Sequence, residues 1–510
     1  MPKTFRLSGN DWRILGLLPT EWAWRKIGQA DTDLDNLTPA ASAWLPAQVP
    51  GDVQSDLRDA DEIPDPWFER NSRACEWTSD RDWIYRKEFT APPEMRDMRR
   101  IRLRFGGVDF SCHVFLNGKH LGNHVGMYDP FAFDVTDVLN WDAPNRLIVV
   151  IDHAPKEPEV QGQIGYTNRI RLWKARFAYD WDWCTRLIPL GIWQDVTLEA
   201  DDGISITDVW VRSALNATLD EATITVHTSW DAPVRGRLLA ELRYRGEDAP
   251  FLHDEAYLEE PTTEQTLTLT VTNPMLWYPN GSGRKLDGLY EARVSLRSEM
   301  GATLEESAVR FGIRDVQFVP NDNAPDDALP YVLEVNGVRT FIKGWNWVPV
   351  DQLYGRPHAE KYRHLLRLAQ EANCNLLRVW GGGLLERDLF YDLCDEAGIF
   401  VWQEFIQSSS GIDNEASTDP DYIAYCREQA EKMIVQRRNH PSLLLWCGGN
   451  ELMTPDWKPL SNAHPNMAAL KETVARLDPD RPFLPTSPSG PLFGADPDKP
   501  GQMHDVHGNW

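Results

Sequence analysis

A chain of 510 residues is too long for one ordinary domain and leads us to expect about three. Its formal charge of −25, from 52 basic against 77 acidic residues, argues against nucleic acid or an anionic membrane surface as partner, because both need clustered cations. Seven cysteines form no CxxC pair, so neither a zinc site nor a disulfide framework is expected, and they read as reduced packing residues.

The opening MPKTFRLSGNDWRILG lacks the apolar stretch of a secretory leader. No run approaches the roughly 20 apolar residues of a membrane span. A cytoplasmic setting is therefore expected, and the N-x-S/T triplets at Asn36, Asn216 and Asn280 carry little weight. Residues 1–203 read as strands: RIRLRFGGVDFSCHVFLNGKHLG alternates apolar and polar residues on both sides of Asn117-Gly118, a hairpin signal. RLIVVIDHA and GIWQDVTLEA continue the pattern. Residues 204–316 hold six or seven further short strands, among them ATITVHTSW and GRLLAELRYR, which suits an immunoglobulin-like sandwich.

From 317 to 510 the rhythm changes to apolar strands alternating with helices, the pattern of a parallel sheet covered on both faces. Polar and aromatic residues gather where strand after strand ends: Asn346-Trp347, Arg378 with Trp380, Gln403-Glu404 and Asn450-Glu451. That favours a (β/α)8 barrel over a doubly wound sheet, since barrel enzymes place their chemistry at the C-terminal ends of their strands. GGGLL at 381–385 has neither dinucleotide nor P-loop spacing, so nucleotide is not expected. Only five strand–helix beginnings are found, so the barrel is expected to be incomplete. The charged helix REQAEKMIVQRRN reads as a solvated outer face.

Glu451 leads the candidate chemistry. An exposed loop carboxylate is the ordinary state of a glutamate. Against that stand its place directly after the apolar run SLLLWC, the two glycines that let the backbone turn, and Asn450 beside it. A protonated glutamate in an enclosed spot can hand its proton to a glycosidic oxygen. The 22 tryptophans fit either β-core packing or the stacking of sugar faces, and composition alone leaves packing ahead. In YDWDWCTRLIPLGIW, Trp181 and Trp183 flank Asp182. That is either a packed loop or one that crosses to the barrel and offers Asp182 to sugar hydroxyls. His504 and His507 suggest no third ligand and read as a hydrogen-bonded loop pair. Ser408-Ser409-Ser410 lacks a nucleophile elbow.

These pieces together resemble glycoside hydrolase family 2 and, within it, the β-mannosidases, over essentially the whole chain. FIKGWNWVP, LLRVWGGGLLERDLFYDLCDEAGIFVWQEF and NHPSLLLWCGGNE are similar to its barrel signatures. WDWCTRLIPLGIW is similar to the mannosidase loop, though Cys184-Thr185 stand where that loop usually has Gly-Pro. The resemblance implies a jelly-roll domain, an immunoglobulin-like domain and a TIM barrel. It also implies a retaining exo-β-mannosidase that needs no cofactor or metal and acts on a carbohydrate substrate, terminal β-mannosides. Glu451 then matches the acid/base, and Asn450 the residue on the 2-hydroxyl. Arg378 matches the residue that orients the nucleophile, and Trp380, Trp181 and Asp182 match residues of the sugar subsite. The family's nucleophile sits on strand seven, so this chain is expected to lack it and to be inactive or nearly so. Glu404, the one substitute in the chain, is expected to support rather than attack. An exo-β-glucosaminidase, a β-galactosidase and a non-catalytic carbohydrate-binding or vestigial fragment are the alternatives.

Overall fold

The computed structural model describes residues 3–35, 44–156, 172–181, 183–324, 330–408, 415–494, 498 and 507. Two antiparallel sheets form the first unit. A six-stranded sheet runs in the order Leu45–Val49, Gly9–Leu17, Asp82–Phe89, Asn145–Ile151, Ser111–Leu116, Lys119–Val125. It faces a four-stranded sheet of Lys3–Arg6, Val196–Asp201, Arg100–Phe105 and Phe131–Asp134. The predicted hairpin is present: Asn117 (φ 53°) and Gly118 (φ 84°) both take the left-handed region that a tight two-residue turn demands. Alternate residues of Arg100–Phe105 and Ser111–Leu116 are buried, and they form the core between the sheets.

The second unit departs from the expected row of short strands. ATITVHTSW and GRLLAELRYR belong to one strand, Glu221–Tyr244, which pairs with Ile206–Leu215 through its first half and with Leu289–Ser298 through its second. Register shifts between Ser229 and Gly236 bend it from one layer to the other. The strand Leu252–Thr272 follows the same bend along its other edge, and Thr303–Gly312 completes the set.

For the barrel we number elements from its own start. Strands β1 (Gly344–Trp347), β2 (Leu376–Val379), β3 (Phe400–Glu404), β4 (Leu443–Cys447) and β5 (Phe483–Leu484) lie side by side in sequence order. All four pairings are parallel. Helices α1 (Ala359–Glu371), α2 (Asp388–Ala397), α3 (Pro420–Arg437) and α4 (Pro465–Leu477) connect them. Tyr362, Leu366 and Ala369 give α1 a buried stripe at helical spacing. Gly398, at φ 68°, ends α2 in the left-handed conformation that glycine adopts without strain. A small antiparallel sheet of Val316–Val319, Val332–Val335 and Val338–Thr340 closes the N-terminal end, where Leu333 and Val335 pack with Leu376, Phe400, Leu444 and Leu445. At β1, the free edge of the described sheet, Trp345 and the preceding Phe341 are exposed.

The helix read as a solvated face is not one. In α3, Tyr422, Cys426, Ala430, Met433 and Ile434 are buried, and so are Gln429 and Arg437. Arg437 donates to Glu386 O at 2.9 Å and pairs with Asp388, while the following Arg438 pairs with Asp208 of the second unit. The basic end of the helix therefore clamps the units together. No described helix is long and apolar enough to cross a membrane.

Candidate active site

The site forms where β1 to β5 end. On each of β1, β2 and β3 one residue of the same face points to the common centre, because side chains alternate along a strand. These residues are Asn346, Arg378 and Glu404. The Arg378 guanidinium is the hub. Its Nε donates to Glu404 Oε1 at 2.8 Å, its Nη1 to Asn346 Oδ1 at 3.0 Å and its Nη2 to Asn450 Oδ1 at 2.6 Å. Glu404 is fully buried, and its second oxygen, Oε2, accepts from Gly381 N at 2.7 Å. Both carboxylate oxygens are thus engaged by donors, one of them charged.

Beyond β4 the chain must pass between its neighbours, and the two glycines permit it. A Cβ on Gly448 would lie 2.2 Å from Pro485 O, and one on Gly449 (φ 153°) would lie 2.5 Å from Gln407 O. Asn450 then extends the sheet, with isolated bridges to Ser408 on one side and Ser487 on the other. Its Nδ2 donates to Ser408 Oγ at 3.1 Å. Glu451 follows at φ 51°, a left-handed conformation uncommon for a residue with a side chain, and its N–H donates to Ser487 O at 2.7 Å. Its side chain is 24% exposed, and Oε1 lies 2.9 Å from Nδ1 of His507, whose Nε2 in turn lies 3.1 Å from Ser487 Oγ.

A segment of the first unit supplies one wall. Arg176 N and Phe177 N both donate to Gly382 O at 3.1 Å, and Arg176 Nη1 donates to Ser408 O at 3.3 Å. The Trp181 ring meets Trp380 edge-on at 4.9 Å between centroids. Trp183, half exposed, lies 5.5 Å from Trp380 and stacks on Phe177 at 6.1 Å. Beneath the segment lies a buried ion pair, Lys174 with Asp109, which Tyr354 of the β1–α1 connection joins through its hydroxyl at 2.7 Å. Burial pushes the Asp109 carboxyl up and the Lys174 ammonium down, and each partner opposes the shift of the other. Trp173 stacks on Phe405, and Phe405 on Trp446, so the aromatic excess serves packing and the site wall together.

Of the residues singled out in the sequence, Glu451, Asn450, Arg378, Trp380 and Trp181 come together at the strand ends, whereas Asp182 lies outside the described residues. So do Ser409, Ser410 and His504. His507 does not appear in a described histidine pair; it partners Glu451. Sequence reasoning missed that role. Glu386 was missed too. It is buried behind the wall, where Trp347 Nε1 (2.9 Å) and the Tyr362 hydroxyl hold it, and burial pushes its carboxyl up. One group has the spacing of a metal site: Asp392, Asp395 and His440 bring ligand atoms within 4.8 Å of one another. Hydrogen bonds already hold those groups, from Ser442 N (2.9 Å) and His440 (2.7 Å) to Asp395, and from Arg310 (3.1 Å) to Asp392.

Comparison with known proteins places this geometry. The galactose-binding domain-like model of glycosyl hydrolase 2 matches residues 22–194, the glycosyl hydrolases family 2 model residues 204–314, and that family's TIM barrel model residues 331–487. A β-mannosidase B of Thermothelomyces thermophilus is 27% identical over 96% of this chain and 58% of its own length. The β-mannosidase of Rattus norvegicus is 28% identical over 88% of this chain and 54% of its own. The crystal structure of a β-D-mannosidase from Dictyoglomus thermophilum covers all of this chain with 60% of its own (TM-score 0.82, 31% identity). A Bacteroides uniformis β-glucuronidase shares the fold at 19% identity and a TM-score of 0.68. The chain spans a little over half the length of the curated relatives it matches. It belongs to glycoside hydrolase family 2 and is β-mannosidase-like within it.

Proposed function

We propose that the strand-end cluster is the proton-transfer half of a retaining exo-β-mannosidase site that releases terminal β-linked mannose. One observation carries the reading: Glu451, at the mouth of the barrel, has a carboxyl that solvent reaches and that a histidine ring contacts. Glu451 gives its proton to the leaving oxygen and later takes one from water. Asn450 has a second Nδ2 hydrogen beyond the one given to Ser408, free to meet the sugar's 2-hydroxyl. Arg378 keeps Asn450 in place, and Trp380, Trp181 and Trp183 form the apolar wall. Asp182 is assigned to the sugar hydroxyls.

A retaining pair needs a second carboxylate about 5–5.5 Å away. Glu404 is the acid on the adjacent strand, and its full burial with a guanidinium on one oxygen and a backbone amide on the other favours a supporting role. The nucleophile is therefore assigned to the family's strand seven, beyond the five strands described.

The test uses a chain extended to eight strands. Glu451→Gln lowers kcat on an alkyl mannoside by about 10²–10⁴ and far less on a dinitrophenyl mannoside, whose departure needs no proton. Equal losses on both would remove Glu451 from the acid role. p-Nitrophenyl mannoside, glucosaminide and galactoside compared side by side fix the sugar. Full activity from the 510-residue chain would refute the placement of the nucleophile. Sugar binding with no hydrolysis by the extended chain would make the protein a carbohydrate-binding one.

A further inference from the structure

Apart from the strand ends, a cleft of about 510 Å³ opens where all three units meet. The first unit gives it Arg104, Trp193 and Gln194, the second Arg310, and the barrel Asp388 and Arg437. Its volume lies within the range of small-ligand sites. Three arginines line it (104, 310 and 437) and three aspartates (195, 388 and 392), so these formal charges cancel. An anion site would show net positive charge and a cation site net negative charge. A balanced set of donors and acceptors suits a neutral ligand rich in hydroxyls, which needs both at close spacing.

Several of these groups have hydrogen-bonding capacity that the described residues do not use. Among the described residues Arg104 donates no hydrogen bond through its guanidinium, whose Nε pairs with Glu199 at 3.8 Å. Gln194 accepts at Oε1 from Arg387 (3.0 Å), which leaves the two amide protons on Nε2 to spare. Arg437 is 5% exposed, and its Nε is buried without a partner. Asp388 pairs with Arg437, which holds its carboxyl below the usual range, yet its side chain remains 81% exposed to the cleft. Unspent donors beside open acceptors mark a place where hydroxyls replace water without loss of hydrogen bonds.

We infer that this cleft is a second carbohydrate-binding site, for a neutral mono- or disaccharide held by Arg104, Gln194 and Asp388 and touching all three units. The inference does not depend on hydrolysis at the strand ends. Titration calorimetry of the 510-residue chain with β-1,4-mannobiose tests it, with inorganic phosphate and calcium chloride as controls. Binding is expected at the cleft, weakened about tenfold or more by Arg104→Ala and by Asp388→Asn, each of which removes a charged hydrogen bond. Met300→Ala, on an exposed turn of the second unit, leaves that binding unchanged. Circular dichroism and melting of each variant show that the fold is intact, and Gln194→Ala, an uncharged change, gives a second reading. Mannobiose binding indifferent to all three cleft variants overturns the inference. So does phosphate or calcium binding that those variants abolish while mannobiose does not bind.

Discussion

Two glutamates end adjacent strands of the same sheet and meet opposite surroundings. Glu404, at the end of β3, is fully buried with a guanidinium on one oxygen and a backbone amide on the other. Glu451, just beyond β4, sits on left-handed backbone at the solvent boundary, against a histidine. A buried carboxylate paired with a guanidinium is a structural element, because leaving its partners unpaired is costly. A partly exposed carboxyl on a constrained turn is free to gain and lose a proton. Position along a strand does not separate the two; burial does.

The largest expected effect breaks the first of them. Glu404→Ala leaves the half-sequestered Arg378 and Gly381 N without their partner and should cost about 3–5 kcal/mol in denaturant unfolding. Glu451→Ala should stay within about 1 kcal/mol, since its carboxyl is reached by water. A mild Glu404→Ala would mean that Arg378 finds Asn346 and Asn450 sufficient.

A second effect sharpens the contrast between buried and open acids elsewhere in the molecule. Asp56, on the first unit, packs beside Asp52 and Arg356 of the β1–α1 connection, and burial first, then the Asp52 charge, raise its carboxyl from 3.8 to about 8. Folded protein then holds a proton that unfolded chain releases. The associated stability is complete below about 3.8 and is lost as pH rises through about 8. Between those values, unfolding free energy should fall by up to about 1.4 kcal/mol per pH unit from this group. Asp56→Asn should flatten that part of the curve. A wild-type profile that rises across this window would show Asp56 ionised in the folded state.

Smaller again is Trp183→Ala. A half-exposed ring contributes little to folding, so stability should change by about 0.5 kcal/mol or less. Loss of one aromatic face should weaken methyl β-mannoside binding at the strand ends by roughly two- to tenfold. Unchanged binding would take Trp183 out of the wall.

How much of this was legible depends on whether a feature is local. The end of β4 was, because an apolar run, two glycines, an amide and an acid sit in consecutive positions. The single bent strand Glu221–Tyr244 was not, since Asp231, Pro233 and Gly236, residues that ordinarily punctuate strands, sit at the bulge and make the run read as two. The burial of Arg437 and Arg438 was hidden for another reason. Charged residues at a helix end look solvated until a second unit supplies Asp208 to one and the β2–α2 connection supplies Glu386 O to the other. His507 lies 56 residues from Glu451, and no spacing rule joins them. The loop with Trp181 and Trp183 showed its chemistry in its composition, but its reach across to Gly382 is a property of the assembled fold.

The finest test reverses sign between the two glutamates. At 404 the backbone is an extended strand, where glycine is worse than alanine by roughly 0.5–1 kcal/mol because it loses more freedom on folding. At 451 the backbone sits at φ 51°, where a Cβ approaches its own carbonyl and costs roughly 1–2 kcal/mol. Both Glu451→Ala and Glu451→Gly remove the carboxyl and its contact with His507, so their difference isolates the backbone. Glu451→Gly should therefore be more stable than Glu451→Ala by about 1 kcal/mol, while Glu404→Gly should be less stable than Glu404→Ala. If alanine wins at both positions, the turn after β4 carries no left-handed strain, and the exposed placement of the Glu451 carboxyl loses its backbone explanation.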